Sequence, residues 1–567
     1  MATTTSSGRS RRAPPFGRPG AAFALLAVAA AVRAQQPAPP PAMPGPPAVT
    51  PGAPTAAPAQ GAAASQATGP AAAPEAQTAR RPPFLEPGIA VSVVGSDNAT
   101  LAPDDQKHSD AIGQVTLDLR MRTRGPRLTI EGDVGADFIG YARGTGADQA
   151  LPRGNLNLAA TLVERALFLD AGVEATRTRA DPLLPATGEA STANTLSSVT
   201  WRASPYFQHD FSPTVSALVR SDTVFTQNSS ADPAVPPPTG STVQREIARI
   251  ERKPVPVGLA LEASREETTY EDQSVTPLLI ESARGTVSVG VDQELLFGVV
   301  GGRDHAEYGG TTTDETLYGG LMQWRPSPRT AFDVAVEHRF FGTGFDVRFR
   351  DRLPHSVIDL SVQRAATATP SSIGLPQATT DPAALLNSLL SNRIPDPNAR
   401  DAAVDEITTS RSLPSSFSEP VDIFTQTPQL ATTGRLDLLL NGLRNTVLGS
   451  LFYVKATVLP GAVVTPVGAN NFDSRQWGGS LGWYHRLTPQ SAAAAEIAYT
   501  DVEALGDRSG DSSRQLVATL SLSQRVNPQT TLSCGLRHLS AHVTLASAGT
   551  AFDVDENQVF AGLRMQY

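Results

Sequence analysis

One cysteine, Cys534, serves a chain of 567 residues. Disulfide stapling within the chain is thereby excluded, as is any CxxC or Cys/His metal site. Histidine is scarce: eight residues, scattered, with no HExxH pair or other ligand spacing. Long apolar runs are missing. A membrane-spanning helix needs roughly 20 consecutive apolar residues, and the nearest approach is Ala21 to Val32. An excess of basic charge is missing too. With 46 Lys and Arg against 55 Asp and Glu, the formal net charge is −9, which argues against nucleic acid as a partner. No catalytic constellation stands out, and no residue pattern points to a cofactor or a metal.

What is present begins with a leader. Arg9, Arg11 and Arg12 precede the alanine-rich run Ala21 to Val32, and Val32-Arg33-Ala34 offers small residues for cleavage before Gln35. This reads as a secretory signal peptide over 1–34. No cysteine follows it, so lipoprotein anchoring is excluded. Residues 35–84 are dominated by Ala, Pro, Gly and Gln. Such a segment buries too little apolar surface to offset its ordering entropy, and it reads as a periplasmic linker rather than a plug domain.

From residue 85 to 567 the texture changes to alternation with a period of two, the signal of strands. Val115, Leu117, Leu119 and Met121 share one face, and Thr116, Asp118, Arg120 and Arg122 the other. Phe345, Val347 and Phe349 alternate with Asp346, Arg348, Arg350 and Arg352. Residues 242–254 alternate worst and could be drawn as a helical turn. Tight connections such as Leu353-Pro354-His355 and Val526-Asn527-Pro528 alternate with longer polar stretches such as 180–197 and 459–473. This is the rhythm of a transmembrane antiparallel β-barrel, with short periplasmic turns and long external loops. Laying out strands gives about 22, within a range of about 18 to 24. A soluble β-sandwich has the same period with its apolar face turned inward. The strand length favours the barrel, as does the final strand. There Val559, Ala561, Leu563, Met565 and Tyr567 alternate like the signal read by the barrel-assembly machinery. An even strand number sets both ends of the barrel domain in the periplasm.

One connection breaks the rhythm. Residues 369–428 are too long for an ordinary loop and carry helix signals. Asp381-Pro382 is an N-cap followed by Pro at the first helical position, leading through Leu385, Leu386, Leu389 and Leu390. Asp396-Pro397 repeats the device and leads to Ile407. Two readings stand: a helical hairpin capping the barrel from outside, or a loop folded into the lumen that constricts the pore.

Several stretches resemble a known family. Arg393-Ile394-Pro395-Asp396-Pro397-Asn398-Ala399-Arg400, Leu413-Pro414, Pro420-Val421 and Gly434 to Val447 resemble the outer-membrane proteins associated with the PEP-CTERM/exosortase system. So do Gly95 to Asn98, Leu101 to Pro103, Ser204-Pro205-Tyr206 and Arg339 to Gly342. The resemblance spans 85–567 in order. It implies a Gram-negative outer membrane and a genomic setting beside exopolysaccharide synthesis. It brings no established activity and no catalytic residues.

Candidate chemistry centres on charge. Asp333, Glu337 and Arg339 are expected on the inward face of one strand and Arg348, Arg350 and Arg352 on that of the next. They read either as a charged lumen handling an anionic solute or polysaccharide, or as cross-strand ion pairs stiffening the wall. His209-Asp210, Asp304-His305 and Glu337-His338 put histidine beside an acid, but adjacent strand residues point to opposite faces. Three functional readings follow. The first is a pore or assembly component for exopolysaccharide export and protein sorting. The second is a non-conducting scaffold whose 369–428 loop docks a partner. The third is a barrel hydrolase. Expected partners are outer-membrane lipid and lipopolysaccharide, the assembly machinery, and exopolysaccharide or periplasmic export components.

Overall fold

Alternation decides the architecture, because a sheet with one apolar and one polar face must either stack on another sheet or close on itself. A computed structural model describes residues 85–179, 181–186, 194–230, 239–272, 277–367, 381–414, 417, 421, 428–459 and 473–567. The leader at 1–34 and the linker at 35–84 lie outside the described residues.

The strands of the first third are β1 (Leu85–Ser96), β2 (Asp110–Arg124), β3 (Leu128–Tyr141), β4 (Gln149–Val163), β5 (Leu167–Arg179), β6 (Thr195–Asp210) and β7 (Val215–Ser230). There follow β8 (Ser241–Arg252), β9 (Val257–Tyr270), β10 (Leu278–Gly290), β11 (Leu295–Tyr308), β12 (Thr311–Ser327), β13 (Thr330–Arg339), β14 (Gly342–Arg352) and β15 (Ser356–Thr367). After two helices come β16 (Gln429–Asn441), β17 (Asn445–Val458), β18 (Ser474–Thr488), β19 (Ser491–Ala504), β20 (Ser512–Asn527), β21 (Thr530–Leu545) and β22 (Thr550–Gln566). Each pairs antiparallel with the next in one 22-stranded sheet. The ring closes where β1 pairs with β22, from Gly88 opposite Gln566 to Ser96 opposite Gln558. Closure satisfies the strand edges internally, which the bilayer interior demands.

Connections leaving even-numbered strands are short, as at 125–127, 353–355, 442–444 and 528–529, and define a short-turn rim. Leu85 and Gln566 lie at this rim. The opposite rim carries the longer loops, including 97–109, 180–194 and 459–473. The expected rhythm fails there twice, at 309–310 and 340–341, where the connections are tight. The doubtful strand at 242–254 is a regular strand, β8, held by both neighbours in unbroken register. Its weak alternation has a local cause. Val243 and Ile247 lie on the same inner face as Arg245, which pairs with Glu266 at 2.6 Å.

The apolar face points out. Leu261 is 65% exposed, Val299 64% and Val559 61%, while Asp304 and Arg435 on the inner face are each 2% exposed. A sandwich inverts this, and water would not tolerate so wide an apolar belt. All four tryptophans lie on the outer face. Trp201 and Trp477 sit nearer the long-loop rim and Trp324 and Trp483 nearer the short-turn rim, as interfacial anchors do. The chain is a transmembrane β-barrel of outer-membrane architecture.

The insertion between β15 and β16 forms α1 (Pro382–Leu390) and α2 (Pro397–Arg411). Both caps are as the sequence indicates. The Asp381 carboxylate accepts from the Ala383 N–H at 2.7 Å, and Asp396 accepts from Asn398 and Ala399. α2 runs past Ile407 to Arg411 and stops where Ser412 turns left-handed, at φ 54°.

Candidate functional site: the lumen and its hairpin

The inner wall is a lattice of arginine–carboxylate pairs. Arg325 on β12 grips both oxygens of Asp333 on β13, at 2.7 and 2.8 Å. Arg339 grips Asp304 two strands away, at 2.8 and 3.0 Å. Arg348 pairs with Asp346 at 2.6 Å and Arg350 with Asp359 at 2.5 Å. Arg284 on β10 pairs with Glu262 at 2.7 Å on one side and with Glu337, three strands over on β13, at 3.2 Å on the other. That long reach depends on two glycines. Gly302 stands opposite Arg284 and Gly319 opposite Glu337. A Cβ at either would lie 2.2 or 2.3 Å from a neighbouring backbone oxygen. The lattice is built of arginine because a planar fork holds a carboxylate by two bonds. Lys107, Lys253 and Lys455 are the only lysines in the sequence, and none lies on this wall.

The six charged residues singled out from sequence, Asp333, Glu337, Arg339, Arg348, Arg350 and Arg352, therefore share one inner surface. Five engage an opposite charge. Arg352 donates instead to the Ser391 hydroxyl at 2.9 Å and to the Pro328 carbonyl. The His–acid neighbours are divided between faces. Asp304 binds Arg339 inside, while His305 on the outer face meets Asp314 at 2.8 Å. His338 stacks on Tyr318 and His209 lies beside Phe207 and Phe211.

Of the two readings of the 369–428 insertion, the helices follow the loop folded into the lumen, against the external helical loop or cap. Their chain leaves β15 and rejoins β16 at the long-loop rim, yet their contacts are at the short-turn rim. Arg393 donates to the carbonyl of Pro354, in the turn between β14 and β15, at 2.6 Å. Arg411 donates to the carbonyls of Gly442 and Leu443, in the turn between β16 and β17, at 2.9 and 3.3 Å. It also binds Asn441 and Thr446. Ser412 meets Ser523 on β20, oxygen to oxygen at 2.6 Å. Asp405 reaches Arg122 on β2, on the opposite side of the ring from β14, at 2.7 Å. The hairpin is thus inside the barrel, strutted between walls at the far end from its attachment.

Burial explains the placement. Leu385, Leu386, Leu389, Leu390 and Val404 form one buried cluster with Val357, Leu439, Leu448, Tyr484 and Ala494, from β15 to β19. These strands carry apolar residues inward near the short-turn rim, where β12 to β14 carry Arg325, Asp333, Arg348, Arg350 and Arg352. Each fully buried leucine contributes roughly 1.5–3 kcal/mol. An external cap would leave both surfaces in water. The loop-motif residues Arg393, Ile394, Pro395, Asp396 and Pro397 form the connection between the helices and the start of α2. All but the half-buried Ile394 are exposed.

In the last strand Val559, Ala561, Leu563 and Met565 face outward, opposite Gly95, Val93, Val91 and Ile89. The Tyr567 N–H donates to the Pro87 carbonyl at 2.9 Å, extending the closing seam by one bond.

No protein-family model matches the chain, and no curated protein matches it. Among solved structures it is similar to the siderophore receptor PiuA from Acinetobacter baumannii, at 8% identity and TM-score 0.43 over 85% of this chain and 82% of that one. It is also similar to the outer membrane protein OpdK from Pseudomonas aeruginosa, at 11% identity and TM-score 0.31 over 85% and 99%. A mutant of the ferric enterobactin receptor PfeA from the same organism gives 9% identity and TM-score 0.35 over 85% and 80%. At such identities and scores the assignment of the fold rests on the chain's own strand pairing and outward apolar belt.

Proposed function

We propose that this chain forms an outer-membrane pore narrowed by its own α1–α2 hairpin, with the short-turn rim in the periplasm. The observation that carries the reading is the hairpin's double attachment: covalent at one rim, hydrogen-bonded at the other. The hairpin seats on the apolar wall of β15 to β19. It leaves the charged wall of β8 to β14 as the polar surface along which a solute passes. The pore carries no cofactor and catalyses nothing. Residues Arg393 to Arg400 and Gly434 to Val447, with their likeness to the PEP-CTERM/exosortase-associated family, support a place beside exopolysaccharide export and protein sorting. A second reading is favoured by the buried leucines of α1: a permanently plugged scaffold. Planar-bilayer conductance separates the two. A pore gives small unit currents in the intact chain and larger, steady ones after deletion of 372–425. Silence from both, with the deletion variant folded, contradicts the pore.

A further inference from the structure

Three arginines at the short-turn rim depart from the pairing seen elsewhere on the inner wall. Arg329 lies in the turn between β12 and β13, and its carbonyl accepts the backbone N–H of Arg352 at 3.1 Å. The Arg352 guanidinium donates to the Pro328 carbonyl and to the Ser391 hydroxyl just beyond α1. Arg393 crosses the next turn to the Pro354 carbonyl, two residues from Arg352. None of the three meets a carboxylate among the described residues. The nearby acids are engaged elsewhere: Asp359 with Arg350, Asp351 with the Thr330 hydroxyl, and Asp396 with the first N–H groups of α2.

We propose that Arg329, Arg352 and Arg393 form a binding site for an oxyanion, a carboxylate, phosphate or sulfate group, at the seam between hairpin and barrel. The Arg352 guanidinium reaches the residue before Arg329 and the residue two before Arg393, so three cations gather at this seam with no carboxylate partner among the described residues, and an anion relieves their mutual repulsion. Each guanidinium has five N–H donors. Arg352 and Arg393 spend only part of theirs on protein acceptors, and Arg329 spends none on any among the described residues. The remaining donors suit the fork-to-fork recognition of an oxyanion. The site straddles hairpin and wall, so it senses whether the hairpin is seated. It does not depend on the chain conducting.

The oxyanion can belong to a soluble solute or to a lipid headgroup, and the test separates the sources. The full chain is placed in phosphatidylcholine nanodiscs and titrated calorimetrically with inorganic pyrophosphate. Saturable binding near one site per chain is expected, with affinity falling roughly tenfold in Arg352→Gln/Arg393→Gln, about one charge-assisted hydrogen bond. Arg329→Gln, which removes no side-chain hydrogen bond or ion pair among the described residues, weakens binding with no effect on folding. Arg265→Gln, on the outer face, leaves it unchanged. Heat-modifiable migration verifies that each variant is folded. Weaker pyrophosphate binding in phosphatidylglycerol than in phosphatidylcholine nanodiscs, with that difference abolished in the arginine variants, assigns the site to a headgroup phosphate. Equal affinity in the intact chain and the folded variants, or no saturable binding in phosphatidylcholine, overturns the proposal.

Discussion

Arg411 joins two parts of the chain that its position in sequence does not connect. One guanidinium at the end of α2 takes up the Gly442 and Leu443 carbonyls together with Asn441 and Thr446. Its removal takes a charged donor from all four groups at once, including the buried Thr446 hydroxyl, a loss on the order of 3 kcal/mol. Arg411→Ala is expected to speed proteolysis within 397–411 while the barrel keeps its heat-modifiable migration. Arg411→Lys does not rescue it, because an ammonium cannot span the same acceptors. At the other rim Asp511, outside the strands, is held by a similar economy. Burial opposes its charge, but the Ser547 N–H and hydroxyl and Arg508 outweigh burial and hold its pKa below the ordinary 3.8. A carboxyl lowered on folding adds stability that is fully present above its unfolded pKa and fades as pH falls through the folded one. Asp511→Asn is therefore expected to loosen the loops 505–511 and 546–549 at neutral pH. The gap in their hydrogen exchange from the intact chain should close only below about pH 4. A gap that persists unchanged to lower pH would remove the charge from the account.

At the scale of the element, the hairpin shows what a local pattern can and cannot carry. Asp381-Pro382 and Asp396-Pro397 were legible because capping needs only neighbouring residues, and the leucine stripe of α1 was legible from its spacing. Its destination was not legible. The apolar seat is assembled from Val357, Leu439, Leu448, Tyr484 and Ala494, on five strands, and only the register brings them together. Likewise the inward faces of β13 and β14 follow from alternation. The reach of Arg284 to Glu337 depends on where Gly302 and Gly319 fall across two other strands. Leu386 is fully buried in the seat. Leu386→Ala is expected to cost roughly 2–5 kcal/mol of docking. It should appear as faster hydrogen exchange throughout α1 and α2 with no change in the strands. A change confined to the strands would place the leucine's role elsewhere.

For the whole molecule, period-two alternation and turn spacing sufficed for a closed barrel of about 22 strands, because closure and the outward apolar face are forced together by the bilayer. The interior is freer, since lipid imposes no rule on it, and there the chain folds a loop back through its own bore. A disulfide tests that path. In a Cys534→Ser background, Ser412→Cys and Ser523→Cys put two thiols where the native hydroxyls stand 2.6 Å apart, one on the hairpin and one near the short-turn rim. Mild oxidation of the folded barrel is expected to join them in high yield. Ser412→Cys with Ser547→Cys, at the opposite rim, should stay unjoined. Cross-linking of the second pair and not the first would put the hairpin at the wrong end of the barrel and contradict the account.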